Sequence, residues 1–244
     1  MPLTGTELIL VAVCFSVAIW NTSVGPSGAV TFATMATLLP PAAVVPIHAI
    51  VEAGAGISRT WLLRQFVDWR VVFPFIAGGI LGLSVAAPLL NLNLLSHDVL
   101  RTLLGATILT IAWLPLPALG DRVRTFSSFS GLGTSFLTLF VGATGPLVNA
   151  LMGRSYQDHR QVLGTSSACM LFQHAAKIPI FVMMGFSFLA FTKLLILLLL
   201  AITAGTWVGR QVLIKVPQHI IKPVFKGLIT ILGLNLMWQG ILNI

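Results

Sequence analysis

The chain has 244 residues, of which 57% are hydrophobic and only 8% are charged, and its mean hydropathy is +0.98. This composition excludes a soluble globular protein, because apolar runs long enough to span a bilayer recur along the whole length and no polar region is left for a separate soluble domain. The net charge of +8 comes mostly from residues in short loops and not from a basic patch interleaved with aromatic residues, so we predict no nucleic-acid partner.

The first half of the chain is predicted to form five helical pieces. A membrane span needs about 20 apolar residues. The last three pieces have that length, whereas the second is too short, so the first two predict a re-entrant hairpin. The five pieces are Leu3–Trp20, Gly28–Leu39, Ala43–Leu63, Val71–Leu90 and Asp98–Leu116.

The second half repeats this order of long and short pieces. They are Thr125–Val141, Pro146–Met152, Gln161–Met184, Phe188–Leu213 and Ile220–Leu242. The sequence therefore predicts one membrane transport domain, residues 1–244, built from two repeats at residues 1–119 and 125–244. Matched pairs support the repeat: Gly25-Pro26 with Gly145-Pro146, Arg59 with Lys177, and Gly78 and Gly82 with Gly205 and Gly209.

The basic loops predict the topology. If each hairpin stays on one side of the membrane, the loops with Arg64/Arg70, Arg122/Arg124, Arg154/Arg160 and Arg210/Lys215/Lys222 all face one side, which is then the cytoplasm. Both termini then lie outside the cytoplasm. Each half crosses three times, an odd number, so the repeats are inverted. Two short but complete crossings per hairpin would give the same parity, so eight to ten helical membrane segments remain open.

Each half has one Gly-Pro break between its first two pieces, at Asn21–Gly28 and at Gly142–Pro146. Lipid cannot satisfy the N–H and C=O groups of non-helical backbone, so such a break must be buried in protein or line a wet cavity. Paired interruptions in two halves are the usual sequence pointer to the binding site of a transporter. The breaks therefore predict transport.

Ionisable residues inside spans are costly and are functional candidates by default. His48, Glu52 and Arg59 in the third piece are spaced by four and seven residues and so share one helix face. The alternatives are structural: Arg59 could snorkel to the cytoplasmic surface, and Glu52 could simply pair with His48 or Arg59.

The corresponding piece of the second half carries Ser166, Gln173 and Lys177 on one face, beside His174. Cations that project toward two broken hairpins predict a site for a small anion, aided by the positive ends of the short helices. The predicted substrate-binding residues are Asn21, Thr22, Ser23, Gly25, Ser27, Arg59, Thr144, Gly145, Asn149, Ser166, Gln173 and Lys177, and the predicted proton-coupling residues are His48, Glu52 and His174.

The sequence contains few motifs that are typical of an enzyme. The sequence has no Walker loop, no Cys/His metal spacing and no HExxH motif, so we predict no catalytic residue, no metal and no cofactor. Ser58-Arg59 is similar to the Ser-Arg motif of undecaprenyl-diphosphate phosphatases, but the paired glutamates and the Gly-His motif of that family are missing. A lipid-phosphate phosphatase is therefore the weaker alternative, and a passive anion channel or permease is the other.

The chain resembles the TauE/SafE sulfite-exporter family of bacterial membrane transporters, as a divergent member. The resemblance rests on Val24–Gly28, Gly142–Pro146 and the small-residue stretch Gly164–Ala168. Where members typically carry three glycines and a proline, this chain has Gly25-Pro26-Ser27-Gly28. The resemblance implies transport of sulfite, sulfoacetate or a related small organic anion, usually driven by an ion gradient.

From these observations we predict an all-α secondary transporter with two inverted repeats, which works by alternating access. The expected partners are a small anionic substrate, the lipid bilayer and a coupling proton or sodium ion, while a homodimer is left open. The expected location is the cytoplasmic (inner) membrane of a bacterium, in a multi-pass arrangement.

Overall fold

The computed structural model describes residues 4–25, 27–89, 99, 102, 105–106, 109–110, 113, 123–141, 144–215 and 217–242. Within these ranges the chain is helical and has no strand, which confirms the predicted all-α membrane fold. Four sequence features lie outside the described residues: Pro26, Gly142-Ala143, Arg122 and most of the predicted piece Asp98–Leu116.

The described part of the first half forms four α-helices. Thr4 caps the first by a reciprocal pair of hydrogen bonds with Glu7, and Pro41 begins the third, where its missing N–H is not needed. A short 3-10 turn, Arg64–Phe66, joins the last two helices. The helices are α1 (Gly5–Ser23), α2 (Gly28–Leu38), α3 (Pro41–Leu62) and α4 (Trp69–Leu89).

The second half contributes five more described helices. Asp158 caps the third of them through the backbone N–H of Arg160, and a 3-10 turn, Phe188–Phe191, precedes the fourth. The helices are α5 (Val123–Val141), α6 (Gly145–Ser155), α7 (His159–Met183), α8 (Thr192–Lys215) and α9 (Gln218–Leu242).

The first predicted break is shorter than its sequence suggests. The prediction that the first helix ends at Trp20 is wrong, since α1 continues to Ser23. The hydroxyl groups of Thr22 and Ser23 donate to the carbonyls of Ala18 and Ile19, one turn back, at 2.8 Å each, so these polar side chains are satisfied within the helix. These residues therefore keep helical backbone.

The second short helix also departs from the prediction. Gly145 and Pro146 lie in the first turn of α6 and not in the break before it, because a proline at this position loses no helical hydrogen bond. The helix continues past the predicted end at Met152 to Ser155, since the N–H of Tyr156 still donates to the Met152 carbonyl at 3.2 Å.

The length of the helices and their exposed apolar surface are typical of a membrane protein. Three described segments are long and apolar enough to cross a bilayer: Gly5–Ser23, Trp69–Leu89 and Phe188–Lys215. Large apolar side chains point outward, with Met183 87% and Leu189 84% exposed. The ionisable residues in the middle of α3 and α7 are buried, namely His48, Glu52, Arg59, His174 and Lys177. This is the arrangement that lipid requires, and the chain is a multi-pass membrane protein.

Long helices of one half pack against long helices of the other half. α1 packs against α8, and α5 packs against α4, while α3 and α7 cross each other at the centre. Under the predicted repeat, α1 corresponds to α5 and α4 corresponds to α8. The pair α1 and α8 is therefore equivalent to the pair α5 and α4. These equivalent contacts support two repeats of one fold, which we retain as a proposal for the division of the chain.

Matched glycines allow the two helices of each outer pair to approach each other closely. A Cβ at Gly78 or Gly82 of α4 would overlap backbone carbonyls of α5, at Ser128 and Leu132. A Cβ at Gly205 or Gly209 of α8 would likewise overlap the carbonyls of Phe15 and Ile19 in α1. These four glycines therefore allow the backbones of neighbouring helices to come into contact.

Gly131 and Gly133 of α5 provide a matched test of this packing. A Cβ at Gly131 would overlap the Phe75 carbonyl of α4, whereas a Cβ at Gly133 has no atom of the described structure within 4 Å. We expect Gly131→Ala to lower the free energy of unfolding by about 1–3 kcal/mol through overpacking. Gly133→Ala should be neutral or stabilising by up to about 1 kcal/mol, since alanine is the better helix former.

The measurement is thermal unfolding of both purified variants in detergent. Equal unfolding temperatures for Gly131→Ala and Gly133→Ala would contradict the backbone contact between α4 and α5.

Candidate functional site

The candidate site lies where α3 and α7 cross. The crossing is close, because a Cβ at Gly56 would lie 2.9 Å from the Leu171 Cα of α7. The imidazole rings of His48 and His174 meet there edge to face, with centroids 5.6 Å apart. The two polar helices thus bring their ionisable faces together in the protein interior.

Both short helices begin at this crossing. The first residues of α2 and α6 line a small cavity together with side chains of α3 and α7 and with Asn21 of α1. The cavity volume is about 10 Å³, which is close to the least space that holds one water molecule. Two helix N-termini, with their positive dipole ends, therefore converge on one buried point.

A buried ion pair forms one wall of the cavity. The Arg59 guanidinium lies 3.5 Å from the Glu52 carboxylate, and the two side chains are 5% and 2% exposed. Glu52 also abuts the start of α2, since a Cβ at Gly28 would lie 3.1 Å from its Oε1 atom. Of the two structural alternatives, Arg59 does not snorkel to the surface, because its guanidinium turns inward to the carboxylate, and the pairing of Glu52 with Arg59 is present.

Several buried nitrogen atoms around the cavity lack a partner among the described residues. They are Nε of Arg59, Nδ1 of His48 and Nδ1 of His174. The only described polar contact of His48 is Nε2 with the Gly28 carbonyl of α2, at 3.4 Å. Unsatisfied buried polar atoms are costly. Nε of Arg59 always carries a hydrogen and can donate to an oxygen-rich ligand, whereas Nδ1 of His48 can donate only when the ring is protonated, because Nε2 faces the Gly28 carbonyl.

The first break is braced by its own polar side chains. The Asn21 carbonyl oxygen accepts from the Ser27 N–H and, at 2.8 Å, from the Ser27 hydroxyl. Gly25 adopts φ +148°, a conformation that side-chain-bearing residues rarely adopt. His159 of α7 contacts the Val24 carbonyl through Nε2 at 2.8 Å. The break is thus buried and held by α7, as non-helical backbone in a membrane must be.

A second polar cluster lies between α5 and α7. Lys177 is fully buried and its ammonium donates to Thr138 at 3.1 Å. One turn earlier, the Gln173 amide donates to Thr134 at 2.8 Å and Ser135 at 3.0 Å, and Thr144 donates to the Gln173 carbonyl at 3.4 Å. This cluster keeps a second cation inside the protein near the start of α6.

Sequence reasoning missed the α5 members of this cluster. Thr134 and Thr138 are spaced by four residues, as are Gln173 and Lys177 of α7. Two helices with matching polar pairs at this spacing can form a ladder of contacts, so the spacing was a usable signal. It was overlooked because hydroxyl residues in a span usually bond to their own helix, as Thr134 also does with the Ser130 carbonyl.

Asn149 and Ser166 fix α6 to α7. The Ser166 hydroxyl donates to the Asn149 carbonyl oxygen at 2.9 Å, and the Asn149 amide donates to the Gly145 carbonyl at 3.0 Å. The pair therefore orients the first turn of α6 next to the cavity.

The connection between α6 and α7 is tied to α4 outside the spans. The Tyr156 hydroxyl donates to the Asp68 carboxylate at 3.0 Å, and the Asp68 N–H donates to Thr165 at 3.0 Å. Burial and the neighbouring Asp68 charge raise the pKa of Tyr156 well above its usual range. Tyr156 therefore stays a hydrogen-bond donor across the physiological pH range.

The structure brings together some of the predicted residues and not others. All fifteen predicted site residues are buried. Six of them line the cavity: Asn21, His48, Glu52, Arg59, Gly145 and His174. The other nine do not line it: Thr22, Ser23, Gly25, Ser27, Thr144, Asn149, Ser166, Gln173 and Lys177.

The fold and the site define a class of protein: an all-helical, multi-pass membrane protein in which two interrupted helix pairs meet at a buried, ionised centre, the layout of a membrane transporter. The sequence profile described as sulfite exporter TauE/SafE matches residues 10–236, most of the chain. The chain belongs to this family, which is a family of transporters, and the predicted resemblance is confirmed. No curated protein and no solved structure matches the chain.

The Thr138→Val variant tests whether the polar cluster between α5 and α7 stabilises the protein. We expect Thr138→Val to lower the free energy of unfolding by about 1–2 kcal/mol, because it removes the described partner of a buried ammonium group. Thr37→Val is the control, since Thr37 is exposed on α2 and its hydroxyl bonds only to its own helix. Unfolding by sodium dodecyl sulfate titration measures both. A Thr138→Val protein as stable as Thr37→Val would contradict the contact.

Proposed function

We propose that this protein is a secondary transporter that moves a small sulfur oxyanion or organosulfur anion, such as sulfite or sulfoacetate, across the cytoplasmic membrane of a bacterium. Transport proceeds by alternating access around the crossing of α3 and α7, with coupling to a proton or sodium gradient. The family description supports the chemical class of the substrate. Both termini are proposed to lie outside the cytoplasm, on the strength of the basic loops.

The observation that carries the proposal is the balance of buried charge. Arg59 and Lys177 are two buried cations, and Glu52 is the one buried carboxylate among the described residues. Charges inside a membrane protein need partners, because the low dielectric does not solvate them. A transported anion supplies the missing negative charge.

The helix starts and the unpartnered nitrogens suit an oxyanion. The first turns of α2 and α6 bring their positive dipole ends to the cavity that Arg59, His48 and His174 line, and helix N-termini favour bound anions. Arg59 can also hold two oxygens of one anion in a bidentate contact. In the proposed complex Ser23, Ser27 and Thr144 provide neutral hydrogen bonds at the rim.

The cavity volume supports a moving site and not an open pore. A space of about 10 Å³ is far smaller than a sulfite ion, which is larger than one water molecule. The helices must separate for the anion to enter, and alternating access requires such closure around the site. A passive channel would carry flux independently of any ion gradient.

Arg59 is the residue whose change tests the proposal. We expect sulfite or sulfoacetate to raise the thermal unfolding temperature of the wild-type protein in proportion to the logarithm of its concentration over Kd. Arg59→Gln should weaken the Kd at least tenfold, which is about 1.4 kcal/mol. Arg64→Gln is the matched control, because Arg64 is exposed at the 3-10 turn, and its Kd should stay unchanged.

Flux into proteoliposomes completes the test. Anion flux should depend on an imposed proton or sodium gradient and should fall in Arg59→Ala and Lys177→Ala. Intact flux in both variants, or stabilisation only by neutral solutes, would contradict the proposed anion site.

A further inference from the structure

The Glu52 carboxylate occupies the part of the cavity best suited to a foreign anion. It lies beside the Arg59 guanidinium at 3.5 Å and against the first residue of α2, where Gly28 leaves room for it. Ser27, the residue before α2, makes no side-chain cap, so no serine oxygen competes for the first N–H groups of this 11-residue helix. A carboxylate thus already stands where a helix start and an arginine would hold an oxyanion.

The surroundings of Glu52 are otherwise cationic or neutral. His48 and Arg59 face it from its own helix, and α7 adds His174 and Lys177 near the same crossing. Cys14 of α1 is close enough to interact electrostatically with the carboxylate. The described residues of α2 include no titratable side chain, and Glu52 is the one carboxylate among the described residues that line the cavity.

The second half has no equivalent carboxylate. With the offset of 118 residues that relates Arg59 to Lys177, the position matching Glu52 is Met170, which also lines the cavity. Arg59 is the basic side chain that Glu52 contacts, whereas the described contact of Lys177 is the neutral Thr138 hydroxyl. The carboxylate therefore belongs to the first half of the chain alone and has no counterpart at the matching position of the second half.

We propose that Glu52 is an internal substitute for the transported anion: it neutralises Arg59 and the start of α2 in the empty protein and must give up this place when the anion binds. The inference rests on the proposed function and deepens it. If Glu52 stayed ionised, a bound anion would place a second negative charge in a closed apolar space at high cost. If the carboxylate takes up one proton as the anion enters, a singly charged anion leaves the net charge of the site unchanged, and a doubly charged one such as sulfoacetate adds only one negative charge.

The coupling follows from this balance. One proton from solution forms the O–H bond of the Glu52 carboxyl group, and one anion replaces the carboxylate at Arg59. Anion and proton therefore bind together and leave together, in a ratio of one to one. Anion binding weakens as the pH rises, because more of the empty protein then holds ionised Glu52.

The Glu52→Gln variant tests whether the charge of Glu52 competes with the bound anion. Glutamine keeps the shape of the side chain but carries no charge, so it cannot neutralise Arg59. We expect sulfoacetate, which does not change its ionisation between pH 6 and 8, to bind Glu52→Gln at least tenfold more tightly than wild type at pH 7.5. The wild-type Kd should weaken by up to tenfold per pH unit, whereas the Kd of Glu52→Gln should not change with pH.

Glu7→Gln is the matched control. It makes the same chemical change on a half-buried residue at the start of α1, which pairs with Lys193 and does not line the cavity, so its Kd and pH dependence should equal those of wild type. Isothermal titration in buffers of different ionisation enthalpy should count close to one proton taken up per anion in wild type and Glu7→Gln, and none in Glu52→Gln.

A measurement on the wild-type protein alone covers the case in which Glu52→Gln does not fold. Infrared difference spectra should gain the C=O stretching band of a protonated carboxyl group when sulfoacetate is added. Anion binding without this band and without proton uptake, or equal binding by wild type and Glu52→Gln, would overturn the inference but not the proposed function. Failure of sulfoacetate and sulfite to bind any of the three proteins would overturn both.

Discussion

The structure depends on how a membrane protein can hold charge in its interior. Arg59 and Glu52 are buried at the crossing of α3 and α7, where water does not offset the cost of ionisation. The surrounding features reduce that cost: two helix starts point at the centre, and two imidazole rings close it. The outer helices seal this centre from lipid through glycine contacts that bring their backbones together.

The short helices connect this electrostatic centre to the fold. A helix that began at the membrane surface would expose its N–H groups to water, whereas α2 and α6 begin inside the protein and direct them at the cavity. The breaks that make this geometry are themselves buried and braced, the first by Asn21 and by His159 of α7. Movement of α7 relative to α3 would therefore change the cavity and the break together, which is the coupling that alternating access needs.

Much of this arrangement could be predicted from the sequence. The helix order, the burial of His48, Glu52 and Arg59 on one face, and the meeting of both breaks at the centre follow from spacing, from Gly-Pro positions and from the repeat. The hydrogen-bonding roles of individual residues could not be predicted. Thr22 and Ser23 bond to their own helix, and Lys177 turns to Thr138 and away from the cavity, because these choices depend on the packing of α5 against α7.

The most direct test of the central claim is to locate a bound anion. Crystals of the protein soaked with selenite, the selenium analogue of sulfite, give an anomalous signal at the anion itself. The account predicts a selenium peak between Arg59 and the starts of α2 and α6, in a cavity enlarged relative to the one described. A peak confined to surface arginines, with the centre unchanged, would contradict it.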